Sequence, residues 1–140
     1  MLYRVLQNYP DFLDVDFLSA VPLSRKHFVE RGFNQSELLA SYLGDEISLD
    51  VSIDLLDRTR YTESQVQLGR KKRAQNLQGA FAVRKSLQHF TEGGKSVQEG
   101  KERLGLEVRE VLLVDDVFTS GATMRECARV LRESGVEKIF

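Results

Sequence analysis

The chain has 140 residues, with 20 Lys plus Arg against 21 Asp plus Glu and a formal net charge of −1. That length suits one domain with a real core, and the near-neutral balance excludes a globally polybasic nucleic-acid or membrane-surface protein. A single cysteine, Cys127, excludes an internal disulfide and a cysteine-based zinc site, which fits a reducing cytoplasm, and no apolar run approaches a membrane span.

Leu2, Val5, Leu6 and Tyr9 recur at helical spacing, and Pro10 stops that short helix. The first residues carry no signal-peptide pattern. Val15 to Val21 is apolar and β-prone, a buried strand. It runs into a loop, Pro22-Leu23-Ser24, followed by the basic residues Arg25 and Lys26 and by His27. Backbone N–H groups and cations at a strand end suit an anion, although taken alone this loop reads equally as a solvated surface. Asn34 is an N-cap, with Glu37 placed to close a capping box. Leu38, Leu39, Tyr42 and Leu43 form the expected buried face of the helix that follows, and Gly44 its end. A helix after a strand is the start of a βα unit.

Val51, Ile53 and Leu55 alternate with polar residues and predict a third strand. The polar stretch from Arg58 to Gln65 leads into Arg70-Lys71-Lys72-Arg73. A basic run is usually a solvated face. Next to a phosphate site it also suits a lid over a polyanion, and with little aromatic interleaving it suits nucleic acid less well. Ala80 to Val83 is a fourth short strand. Residues 86–106 are rich in Gly, Ser, Glu, Gln and Lys, include His89, and read as a flexible insertion within a single domain spanning 1–140.

The chain is organised around Glu110 to Gly135, EVLLVDDVFTSGATMRECARVLRESG. Val111 to Val114 is a strand buried on both faces. It ends in the adjacent carboxylates Asp115 and Asp116. A turn of small residues follows, Thr119, Ser120, Gly121, Ala122 and Thr123. Met124, Cys127, Ala128 and Leu131 then mark one face of a helix that Gly135 stops. In an open parallel sheet, ligands bind beyond the carboxyl ends of the strands, and a helix N-terminus favours phosphate. Carboxylates repel phosphate but accept hydrogen bonds from a diol. Phosphate at the turn and diol at the acids describe a ribose 5-phosphate. Val136 to Phe140 begins a further apolar strand, where the sheet edge is expected to be short.

The string VLLVDDVFTSGAT closely resembles the phosphoribosyl-pyrophosphate signature of type I phosphoribosyltransferases. VPLSRKHFVERGFNQSELLA, from Val21 to Ala40, resembles the ComF family of competence proteins, whose pattern has VPL, basic residues, RGFNQ and LA. Arg58, Arg60, Thr62 and Gln65, then Arg73, Asn76 and Gly79-Ala80-Phe81, match that family's R-x-R-x-T-x-x-Q, R-x-x-N and GAF. Typical members also carry a four-cysteine zinc segment, which this chain lacks.

The resemblance implies an α/β fold with an open, mainly parallel sheet flanked by helices. It implies that Thr119 to Thr123 bind the ribose 5-phosphate and that Asp115 and Asp116 hold the ribose hydroxyls. The same acids would meet Mg²⁺ indirectly, through the ligand or water. Pro22, Leu23, Ser24 and Arg25 would form the pyrophosphate loop, and Arg58 to Gln65 a catalytic loop in which Arg58 and Arg60 stabilise the leaving charge. The implied activity is cytoplasmic transfer of a phosphoribosyl group from phosphoribosyl pyrophosphate to an unidentified acceptor. Two rivals stand beside it: a non-catalytic sensor of phosphoribosyl pyrophosphate, and a factor in DNA uptake touching single-stranded DNA or DNA-processing proteins. A homodimer fits related folds, and no membrane association is expected.

Overall fold

The computed structural model describes residues 15–60, 77–84 and 110–140. Strand β1 (Phe17–Ala20) and strand β5 (Glu110–Val114) are the centre of a parallel sheet, paired from Phe17 with Val111 to Ala20 with Val114. The flanking strands are β2 (Val51–Ser52) beside β1 and β6 (Lys138–Ile139) beside β5, giving the order β2-β1-β5-β6 with every neighbouring pair parallel. A parallel sheet covered on both faces needs strands that are apolar on both, which the runs FLSA and VLLV largely supply.

Alternation along these strands divides the core in two. Phe17, Val111 and Leu113 join Cys127, Val130 and Leu131 of helix α3 (Ala122–Glu133) on one side. Leu18, Leu112 and Val114 join Ala40 and Leu43 of helix α2 (Gln35–Ile47) on the other. A separate antiparallel ribbon, β3 (Leu56–Arg58) with β4 (Phe81–Val83), packs Leu56 and Phe81 into the α3-side cluster. This is the open, mainly parallel α/β sheet expected from the sequence. Cys127 is the expected core residue, its thiol pushed up to about 12, chiefly by burial.

Four local expectations are corrected. Residues after Ser24 are not a basic loop. They form helix α1 (Arg25–Arg31), capped by the Ser24 hydroxyl accepting from the His27 N–H and closed by Gly32 at φ +80°. Helix α2 does not bury Leu38, Leu39 and Tyr42, which are 59%, 37% and 63% exposed. Its buried stripe is Ser36, Ala40, Leu43 and Gly44, small enough for the helix to lie close to the sheet. A Cβ on Gly44 would meet Val51 Cγ2 at 2.4 Å. Nor does Gly44 end α2, which runs on to Ile47 and stops at Ser48 in the left-handed region, φ 58°. Finally, Val51 to Leu55 is not one strand. The chain leaves the main sheet after Ser52, Ile53 is exposed, and Leu55 turns into the core ahead of β3.

The helix expected at Leu2 to Tyr9, residues 61–65 of the expected catalytic loop, the Arg70–Arg73 run and the expected 86–106 insertion with His89 lie outside the described residues. Among the described residues no helix is long and apolar enough to cross a membrane.

Candidate phosphoribosyl site

The carboxyl ends of β1 and β5 lie side by side, since Val21 donates its N–H to the Val114 carbonyl at 2.9 Å. Strand β5 leads through its turn straight into α3, whereas β1 reaches the α2 start by way of α1, and the Asn34 bond to the Val21 carbonyl brings the α2 N-terminus back to the same end of the sheet.

The α2 start is closed by the protein's own groups. Asn34 accepts from the Ser36 N–H at 3.1 Å. Its amide donates to the Val21 carbonyl at 3.0 Å and to Glu37 at 3.1 Å, so Glu37 meets the capping side chain. Inside this cap sits Ser36, 2% exposed. Its hydroxyl lies 3.3 Å from Asp115 Oδ1 and 3.2 Å from Asp116 Oδ1, and accepts from the Asp116 N–H at 3.2 Å. One side chain of α2 thus fixes both acids at the end of β5. Sequence reading missed Ser36, whose partners lie 79 and 80 residues away.

Asp115 is half-buried and Asp116 exposed. Burial holds the Asp115 carboxyl above its ordinary 3.8, offset in part by the Val117 N–H, and the neighbouring Asp116 charge pushes it the same way as burial. An acid pair of this kind favours a ligand that brings hydroxyl donors or a cation.

The α3 start is open. Its cap position is Gly121 at φ +68°, with no side-chain cap hydrogen bond. A side chain there would be strained, and its Cβ would meet the Phe118 ring and Arg125 Nη1, both at 3.1 Å. The Ser120 hydroxyl is buried and has no hydrogen-bond partner among the described residues. Arg125 braces the turn by donating to the Ser120 carbonyl at 2.8 Å.

A cleft of about 230 Å³ joins these parts. Asp115, Asp116, Thr119, Thr123, Ser36 and Arg58 line it, with Pro22 and Leu23 of the β1 loop. His27 of α1, read from the sequence as either a phosphate contact or a bystander, lines it too, as does Arg31, which was not among the expected site residues. Arg58 sits over the Phe81 ring, 5.4 Å from its centroid. Arg60 and Arg25 are not in this cleft. They line a second one of about 830 Å³ on the other side of Pro22 and Leu23. Arg60 also donates to the Gln78 carbonyl at 2.9 Å. The next residue of that turn, Gly79, donates to Glu126 of α3 at 2.7 Å. The neighbouring Arg129 guanidinium, hydrogen-bonded to Glu126, holds that carboxyl below its usual 4.5.

Residues 31–140 match the family model described as Phosphoribosyl transferase domain. The chain belongs to that family. It is 33% identical over 121 residues to Competence protein F of Haemophilus influenzae, covering 85% of this chain and 46% of that protein. To DNA utilization protein YhgH of Escherichia coli (strain K12) it is 30% identical over 124 residues, 89% of this chain and 46% of that one. To Competence protein ComFC of Streptococcus pneumoniae it is 28% identical over 138 residues, 99% and 50%. These relatives make it a ComF-type member of the family. The chain spans about half the length of the curated relatives it matches. No solved structure matches it.

Proposed function

We infer that the chain binds phosphoribosyl pyrophosphate together with Mg²⁺. The observation that carries this reading is the open α3 start, Gly121 uncapped and the Ser120 hydroxyl buried without a partner among the described residues, beside two carboxylates fixed by Ser36. The 5-phosphate would take the turn from Thr119 to Thr123, which supplies three hydroxyls and the N-terminal N–H groups of α3. The ribose diol would donate to Asp115 and Asp116. Two carboxylates on the described chain fit a hard cation that keeps waters and ligand oxygens, and Mg²⁺ held this way would neutralise diphosphate charge.

With an acceptor present, the reaction would be displacement of pyrophosphate from ribose C1. The new bond forms from the acceptor nucleophile to C1 as the C1–O bond to pyrophosphate breaks, through a transition state of oxocarbenium character. The chain's contribution is positioning and charge stabilisation rather than covalent chemistry. Arg58 lies between the two clefts and would meet the leaving diphosphate. The Ser24 loop, Arg25 and Arg60 would extend that positive surface. A second reading keeps the ligand and drops the transfer: a ComF-type factor in DNA handling, or a sensor, that responds to phosphoribosyl pyrophosphate. The names of the competence and DNA utilization relatives favour it.

Calorimetric titration of phosphoribosyl pyrophosphate with Mg²⁺ tests the shared claim. The wild type should bind, and Asp115→Asn/Asp116→Asn should lose at least about 100-fold in affinity, because two charge-assisted hydrogen bonds contribute roughly 1.5–3 kcal/mol each. Equal affinity in the double variant would sink the assignment of the acids. Release of pyrophosphate on adding acceptors would then separate the enzyme from the sensor.

A further inference from the structure

Helix α3 carries a carboxylate where its packing asks for an apolar side chain. Its buried stripe is Ala122, Glu126, Cys127, Val130 and Leu131, and Glu126 is only 9% exposed. A charge at such a position costs desolvation unless it is well hydrogen-bonded. Glu126 meets that condition. Its Oε1 accepts from the Gly79 N–H and from Arg129 Nη2, both at 2.7 Å, and its Oε2 accepts from Arg129 Nε at 3.1 Å. An apolar residue would serve the packing without the desolvation, so burial alone does not account for the acid. Arg129 is a neighbour on the same helix. Gly79 is not: it lies 47 residues earlier, in the turn that leads into β4.

The same turn holds the two arginines of the ribbon. Leu77, Ala80 and Phe81 anchor it in the core, and Gly79 bends it at φ +69°. The Gln78 carbonyl accepts from Arg60, the Ala80 carbonyl accepts from the Thr59 N–H at 2.9 Å, and Arg58 sits over the Phe81 ring. Among the described residues the β3–β4 ribbon forms a sheet of its own, so the ladder of the main sheet does not set its place. Apolar packing holds the ribbon but is non-directional. The bond from Gly79 to Glu126 is directional, and it ends about one turn into α3. On the reading of the site as one for phosphoribosyl pyrophosphate, we propose that Glu126 is a positioning residue. It fixes Arg58 and Arg60 relative to the open start of α3, and so sets the spacing between the 5-phosphate and the diphosphate of one ligand. Glu126 acts through the turn, not on the ligand. Arg129, which grips both carboxylate oxygens, holds the side chain at the angle the turn needs.

Two ligands separate this role from a structural one. Ribose 5-phosphate uses only the acids and the α3 start, whereas phosphoribosyl pyrophosphate with Mg²⁺ also uses the arginines. Both are titrated by calorimetry into the full chain. Glu126→Ala should bind ribose 5-phosphate within about twofold of the wild type, and phosphoribosyl pyrophosphate about tenfold more weakly, as expected when a charged donor is displaced from its anion. Glu126→Gln keeps an acceptor for the Gly79 N–H and should recover most of that loss. Glu126→Asp keeps the charge but shortens the reach, and should behave as Glu126→Ala does. Should the alanine variant fail to fold, the aspartate variant carries the test. A merely structural carboxylate gives another pattern: a lower melting temperature with both affinities intact, or both affinities lowered alike. Either would overturn the proposal. So would a glutamine variant as weak as the alanine one, because the bond to Gly79 would then not be what matters. A wild type that binds neither ligand is a separate result, which would remove the phosphoribosyl reading itself and the role of Glu126 with it.

Discussion

Two helix starts lie at the carboxyl end of the sheet, α3 directly after the β5 turn and α2 after the short helix α1, and they are built oppositely. At α2 the N-terminus is consumed internally: Asn34 caps it, ties it to the Val21 carbonyl and orients Glu37. At α3 no side-chain cap hydrogen bond is formed among the described residues, and a glycine stands where a capping side chain would go. A helix end left open next to a buried hydroxyl lacks what normally stabilises it. On the proposed reading, the contrast makes α2 the fixed wall of the site and α3 the receiving one. Ser36 connects them, since it belongs to the closed start and holds the acids that stand before the open one.

The comparison can be broken at the closed end first. Asn34→Ala removes the cap and leaves a buried carbonyl at Val21 without its donor, and should destabilise the fold by about 2 kcal/mol in denaturant unfolding. A loss below about 0.5 kcal/mol would mean that α2 is held by its packing alone. Next comes the acid pair. Asp115 has its carboxyl raised by burial and by Asp116, so the folded state holds its proton more tightly than the unfolded chain does. The stabilisation from that proton is full below the ordinary value of 3.8 and is lost as pH rises through the raised value. Asp115→Asn should therefore unfold at a higher temperature than the wild type at pH 7, with the gap closing in acid. A lower melting temperature at pH 7 would show that the carboxylate stabilises the fold after all. The smallest effect on stability is expected at the open end. Ser120→Ala removes a hydroxyl with no described partner, so unfolding should change by less than about 0.5 kcal/mol, while affinity for ribose 5-phosphate should fall about tenfold. A stability loss of the size expected for Asn34 would show that the hydroxyl has a structural partner.

Much of this was legible in the sequence because the decisive residues are contiguous. An apolar run, two acids, small residues with a glycine and a helical stripe follow one another from Val111 to Leu131, and their order alone prompts the proposed positions of phosphate and diol. The cap at Asn34 was legible for the same reason. Ser36 was not, because its role depends on a strand almost eighty residues away. The face of α2 was misread because Leu38, Leu39 and Tyr42 outweigh Ser36, Ala40 and Gly44 in hydrophobicity. Close approach to the sheet selects for small size instead, as the contact between Gly44 and Val51 makes plain. Helix α1 carried its own signals, Ser24 as cap and Gly32 as stop, which the surrounding basic residues obscured. The larger cleft was invisible because its cations come from α1, β3 and the end of β4, which only the fold brings together.

The central claim is that the open start of α3 receives a phosphate while the closed start of α2 does not. Backbone amide chemical shifts, followed by NMR as ribose 5-phosphate is added, test it most directly. Saturable shifts that are largest from Ser120 to Thr123, and smaller at Glu37 and Leu38 of α2, are the predicted result. Shifts centred on the α2 start, or no saturable shift at the α3 turn, would contradict it.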